Sequence, residues 1–117
     1  MVNPTGTPGG PAGGPVGVEE LADDVAAAVR AVPGVARLHA GALGELGTYL
    51  PGRRVPGVRV GDDVLAGRAP LEVHVVLRPG TPVREVAQDV HASVARELAE
   101  HGLTGTAVLV HVDDVDA

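Results

Sequence analysis

The sequence predicts an α+β domain in which two helices cover one face of a small mixed β-sheet, in the order α-β-β-β-α-β. Two segments have the apolar spacing of amphipathic helices, and a glycine follows the end of each one. Four short runs rich in Val and Leu are typical of strands. The tetrapeptide VPGV occurs twice, at residues 32–35 and 55–58, and a strand-like run follows each copy. These copies therefore indicate chain reversals, not an elastic repeat.

The domain is expected to cover residues 18–117. Residues 1–17 form a Pro/Gly-rich tail with too few apolar side chains to offset the entropy of ordering, so we expect this tail to be disordered. Hydrophobic residues make up 44% of the chain, yet Phe, Trp and Ile are absent. Val, Leu and Ala must therefore pack the core through many small contributions.

The first helix is predicted over VEELADDVAAAVRAV. Acidic residues occupy its early turns, where they favour the helix dipole, and Pro33–Gly34 ends it. Its apolar stripe consists of Leu21, Val25, Ala28, Val29 and Val32. A short edge strand over residues 35–39 should follow.

The middle of the chain contains the least regular segment and the strongest strand. Residues 40–54 are rich in glycine, and we expect a packed loop with at most one helical turn. The second VPGV leads into a strand at 58–60. The strand LEVHVVL at 71–77 then places its alternate apolar residues on one face: Leu71, Val73, Val75 and Leu77.

A second helix over residues 81–101 and a final strand over 106–112 complete the domain. The helix should bury the apolar face made by Val83, Val86, Ala87, Val90, Val94 and Leu98. Because this long helix joins strands 71–77 and 106–112, the two strands should run parallel through a right-handed crossover. Both helices then lie on the same face of the sheet.

Composition excludes several classes of function. A formal net charge of −6 with scattered arginines opposes nucleic-acid binding. The chain has no cysteine, which excludes disulfides and thiolate metal sites and fits a cytoplasmic protein. No apolar run approaches the roughly 18 residues of a membrane-spanning helix, and no signal peptide is evident.

Four stretches carry a pattern of hydrophobic spacing and glycines without a catalytic signature: VPGV, GVRV, the segment PVREVAQDVHASVARELAEHGL and the strand VLVHVDDV. This pattern resembles the bacterial alkaline shock protein family, also called the envelope stress response or general-stress family. The resemblance spans about residues 18–115 and is best in the second half of the chain. His74 and His111 depart from the residues expected at their positions.

The resemblance implies a non-enzymatic, stress-related scaffold or adaptor linked to cell-envelope homeostasis. Such a protein would act in the cytoplasm through protein–protein contacts, with itself or with a membrane-anchored relative at the inner face of the membrane. It implies no cofactor and no catalytic residues. From the residues themselves, the partner-binding candidates lie on the sheet face that the helices leave open: Glu72, His74, Val76, Leu109 and His111.

A zinc-binding regulatory module is the alternative. Three histidines, His39, His74 and His111, fall on three predicted strands, and with Glu72 they could supply zinc ligands if the strands are neighbours. The run VLVHV is also similar to the end of small α+β domains that are appended to cation transporters. The opposing interpretation is that these are independent polar positions on a solvated sheet face, because no recognised ligand spacing connects them.

Two further groups of residues carry weaker signals. Asp113, Asp114 and Asp116 lack the glycine turn and bidentate glutamate of a calcium loop, so we expect a frayed acidic end. Ser93 is the only serine and has no nucleophile motif around it. The sequence therefore predicts that the chain is not an enzyme.

Overall fold

A computed structural model describes residues 17–115 of the chain, apart from the side chain at 114. The predicted disordered tail lies outside the described residues except for Gly17. The α+β class and the predicted order of elements are confirmed. A hairpin is added between the first and second predicted strands, and a short helix between the second and the third. The elements are α1 (Val18–Arg30), β1 (Val35–Leu38), β2 (Gly47–Leu50), β3 (Arg53–Pro56), β4 (Val58–Arg59), α2 (Asp62–Leu65), β5 (Leu71–Leu77), α3 (Val83–Glu100) and β6 (Val108–Val115).

Strand β5 is the centre of the sheet. Along one edge it pairs with β6 in parallel over its whole length, as the crossover through α3 predicts. Along the other edge, β1 pairs with residues 75–77 and β4 pairs with residues 72–73, both antiparallel. Strands β1 and β4 therefore lie one after the other along the same edge of β5. Between them the chain leaves the sheet and returns.

Hydrogen bonds to the main chain of His74 bridge the gap between β1 and β4. The amide of His39 donates a hydrogen bond to the His74 carbonyl at 2.8 Å, and the His74 amide donates to the Gly57 carbonyl at 2.8 Å. Gly57 has a φ of +75°, and a Cβ there would lie 2.9 Å from the His74 carbonyl oxygen and 2.9 Å from the Leu38 Cβ. The glycine of the second VPGV is therefore required by both backbone conformation and space.

The excursion between β1 and β4 contains an antiparallel hairpin, β2–β3, which replaces most of the loop predicted for residues 40–54. Its turn uses Gly52 at a φ of +77°. Thr48 is the one buried polar side chain among the described residues. Its hydroxyl donates to the Val58 carbonyl and accepts the Val60 amide at 2.9 Å, and these bonds attach the hairpin to β4.

An ion cluster holds the other strand of the hairpin against α1. The Arg53 guanidinium lies 2.7 Å and 3.0 Å from the two carboxylate oxygens of Asp23 and 2.8 Å from a carboxylate oxygen of Glu19. The hydrogen bond from Arg53 holds the pKa of Asp23 below its ordinary value, and the same contacts raise the pKa of Arg53. The side chains are between 41% and 61% exposed, so solvent screens this cluster.

The core lies between the two long helices and one face of the sheet. The inward face of β5 is fully buried, as predicted: Leu71, Val73, Val75 and Leu77. Helix α3 contributes Val86, Val90, Val94 and Leu98, as predicted. Val83 was predicted to be buried, which is wrong: it is the first residue of α3 and is 43% exposed.

Replacing Gly57 with Ala should destabilise the domain more than replacing Gly52 with Ala. Both positions have a left-handed backbone that costs an alanine about 1–2 kcal/mol. Only at Gly57 does the added methyl group meet backbone atoms, and such overpacking costs about a further 1–3 kcal/mol. Urea denaturation measures both costs. Equal losses of stability in the two variants would contradict the close approach at His74.

The Asp23–Arg53 contact should make stability depend on pH below about 4. Because the folded pKa of Asp23 is lowered, its contribution is complete above the ordinary value of 3.8 and is lost as the pH falls through the lower folded value. Chemical denaturation from pH 5 to pH 2.5 should show a smaller acid-induced loss for Asp23→Asn than for the unmodified chain. Glu20→Gln, in the same helical turn, is the control. A change as large in Glu20→Gln would contradict this assignment.

Candidate functional site

The candidate site lies on the sheet face that α1 and α3 leave open. Glu72 and His74 are two residues apart on β5, so both project from this face. The parallel register places Leu109 beside Glu72 and His111 beside His74. Pairing of β5 with β6 therefore brings two side chains of β5 beside two side chains of β6 that lie 35 or more residues later in the sequence. These four residues were predicted as a contact surface, and the structure brings them together.

The two imidazoles form the centre of this site. The rings of His74 and His111 are stacked, with centroids 4.3 Å apart and planes that differ by 6°. The His74 side chain is only 14% exposed, whereas that of His111 is 41% exposed. The ring on the central strand β5 is therefore more enclosed than the ring on β6.

Each imidazole also contacts a carboxylate. His74 Nδ1 lies 3.0 Å from Asp113 Oδ2, and His111 Nε2 lies 3.2 Å from Glu72 Oε1. In each contact the ring nitrogen can donate its proton to the carboxylate, which selects one tautomer of the neutral ring. The second nitrogen of each ring has no hydrogen bond to the part of the chain that the structure describes.

Arg59 contributes positive charge at one border of the site. It stands opposite Glu72 in the register of β4 and β5, and its guanidinium pairs with Asp63 at 3.1 Å. The hydrogen bond from Arg59 lowers the pKa of Asp63 below its ordinary value. The Arg59 guanidinium thus lies at the border of the site and is already paired with the Asp63 carboxylate.

Two residues of the predicted sets do not belong to this site. His39 follows β1 at the point where the chain leaves the sheet. It reaches His74 through its main-chain amide, and its imidazole is not part of the cluster. Val76 was predicted to offer apolar contact surface, which is wrong because it is 1% exposed. Val76 lies near the end of β5, where the pairings with β1 and with β6 both shift register, and it is buried there without belonging to the core cluster under the helices.

Asp113 is a member of the site that sequence reasoning missed. The acidic end was expected to fray, but β6 continues to Val115 and includes Asp113 and Asp114; Asp116 lies outside the described residues. The bulge in the register places Asp113 beside the row of His74 and His111. The polar residue directly after the alternating strand could have indicated a site residue. The bulge that brings the Asp113 side chain to His74 has no recognisable pattern in the sequence.

A second cluster joins the two long helices. His101 Nε2 lies 2.8 Å from Asp24 Oδ2, and Glu97 lies close to both. The His101 side chain is 12% exposed, and its Nδ1 is buried without a hydrogen-bond partner in the described part of the chain. This contact connects the end of α3 to α1, so its first role is structural.

A groove of about 430 Å³ opens between the same helices. Its walls carry small apolar side chains from the end of α1 and the turn after it, and the polar side chains of Asp89, Ser93 and Arg96 from α3. Arg96 contacts the Ser93 hydroxyl at 3.4 Å, and within residues 17–115 no hydrogen bond joins this hydroxyl to a general base.

Comparison of the chain with models of known protein families, with curated proteins and with solved structures found no match. Among residues 17–115, no helix has both the length and the apolar character needed to cross a membrane.

Proposed function

We propose that this protein is a non-enzymatic, stress-related adaptor that supports cell-envelope homeostasis through protein–protein contacts. It would act in the cytoplasm and bind a second copy of itself or a membrane-anchored relative at the inner face of the membrane. The resemblance of residues 18–115 to the alkaline shock family supports this function. So does the mixed apolar and polar character of the open sheet face.

Leu109 is the observation that carries the proposal. It is 45% exposed on the open face, beside Glu72 in the register of β5 and β6 and two residues before His111. A large apolar side chain surrounded by polar groups that can form hydrogen bonds is typical of protein–protein contact surfaces. No described element covers this face, so a partner can reach it.

The outer edge of β6 provides a second route of contact. Strand β6 pairs with β5 on one side, and within residues 108–113 no described strand pairs with the other side. Unpaired main-chain groups on an edge strand can add a strand from another molecule. A second copy of this chain could extend the sheet in this way while its open face lies beside that of the first copy.

Net charge favours a protein partner over a lipid surface. The formal charge of −6 opposes direct association with anionic lipid headgroups. Membrane association, in this proposal, passes through an anchored partner.

Leu109→Glu should weaken self-association, because it places a charge in the centre of the apolar contact. Sedimentation velocity over a wide concentration range, in the presence of EDTA, measures this association. The unmodified chain should show a sedimentation coefficient that rises with concentration, and Leu109→Glu should raise the apparent dissociation constant at least about tenfold. EDTA keeps this result independent of any metal binding.

Leu43→Glu is the matched control. Leu43 is 90% exposed in the loop before β2, so this substitution introduces the same charge at a position away from the sheet. It should behave like the unmodified chain. A protein that stays monomeric at every concentration would contradict self-association, and equal weakening by both variants would contradict the assignment of the open face.

A further inference from the structure

We propose that Glu72, His74 and His111 form a binding site for a divalent transition-metal ion of the zinc class. One potential ligand atom from each residue lies within 4.8 Å of the other two. The three residues are half-buried on the open face of the sheet. This inference goes beyond the adaptor function and does not depend on it.

The backbone places the three ligands without contributions from loops. Glu72 and His74 share a face of β5 because they are two residues apart, and His111 lies beside His74 on the neighbouring parallel strand. A tetrahedral zinc ion with bonds of about 2.0–2.1 Å needs ligand atoms about 3.3 Å apart. The ligand atoms must therefore approach by about 1.5 Å at most, which rotation of half-exposed side chains can provide. The imidazoles must tilt out of their parallel stack to direct their lone pairs at one ion.

The carboxylate contacts prepare the histidines for this role. Ligating imidazoles in metal sites usually donate their other N–H group to a carboxylate, which orients the ring and selects its tautomer. Asp113 occupies that position beside His74 Nδ1, so His74 Nε2 remains available as a ligand atom. Asp113 is thus a positioning residue. Glu72 contacts His111 Nε2 in the metal-free arrangement and would turn its carboxylate to the ion.

The donor atoms specify the class of ion. Two imidazole nitrogens and one carboxylate oxygen suit zinc and its neighbours cobalt, nickel and copper, whereas calcium and magnesium prefer oxygen ligands alone. Three protein ligands leave a fourth position for water or for a group from a partner. That position faces outward, because no described element covers this face.

The cluster of Asp24, Glu97 and His101 is a weaker candidate. It offers a single imidazole, and the contact of that ring with Asp24 at 2.8 Å joins α1 to α3. Asp24 is 53% exposed. With one imidazole and two carboxylates, this cluster suits the zinc class less well than the two imidazoles and one carboxylate of the sheet face.

Metal titration of the full metal-free chain tests the proposal. Cobalt(II) absorption reports the coordination geometry, and zinc competition against a chromophoric chelator reports affinity and stoichiometry. We expect one ion per chain with a dissociation constant of about 1 μM or lower. His74→Gln and His111→Gln should each weaken binding at least about thirtyfold, and Asp113→Asn about tenfold, within the range for an outer-shell partner.

His91→Gln is the matched control, because His91 is exposed on α3, away from the sheet face. It should bind zinc like the unmodified chain. Absence of binding at 1 mM zinc, or equal losses in His91→Gln and His74→Gln, would overturn the proposal.

Nuclear magnetic resonance of the imidazole nitrogens in the unmodified chain provides a test that does not depend on the folding of variants. Zinc should shift the ring signals of His74 and His111 and leave those of His39 and His91 in place. Shifts centred on His101 would assign the ion to the helix cluster and overturn the proposal.

Discussion

The parallel pairing of β5 with β6 is the constraint on which the rest of the structure depends. It requires a long connection across the sheet, which α3 supplies, and this connection places α3 over one face beside α1. The inward face of β5 is thereby buried, whereas Glu72 and His74 on its outward face stay partly exposed. Since side chains alternate along both strands, the same register that buries Val73 and Val75 brings His74 beside His111. The core and the candidate site are therefore two consequences of one pairing.

The second edge of β5 shows why the chain uses VPGV twice. The first copy ends α1 and leads into β1, and the second returns the chain to the same line as β4 after the hairpin excursion. The two ends meet at the main chain of His74, where Gly57 allows the close approach. His74 is thus held by backbone hydrogen bonds on one side and by ring stacking on the other.

This arrangement limits the conformational freedom of the His74 side chain, which suits either a contact surface or a metal ligand. The two proposals use the same face but require different properties of it, namely the exposed Leu109 for one and the imidazole lone pairs for the other.

Sequence periodicity was sufficient to predict the helices, the central strand and the parallel crossover, because the elements involved have long, regular apolar patterns. The pattern of β5 is Leu71, Val73, Val75 and Leu77. It was insufficient where tertiary contacts decide local structure. The hairpin at 47–56 depends on the hydroxyl of Thr48 bonding to β4, and no local pattern encodes that contact. Glu72, His74 and His111 could be assigned to one face from alternation, but their convergence required the register. His39 was misplaced because the chain leaves the sheet there, and Val76 because alternation assigns a residue to a face without showing whether that position is buried.

The register of β5 and β6 is tested most directly by nuclear Overhauser effects between the ring protons of His74 and His111 in the metal-free protein. The stacked arrangement predicts strong ring-to-ring effects, together with effects from the His74 ring to Asp113. A slip of one residue would turn one of the two rings to the opposite face of the sheet. Ring-to-ring effects that are absent, together with effects from either ring to the methyl groups of Val90 or Val94 on α3, would contradict the account.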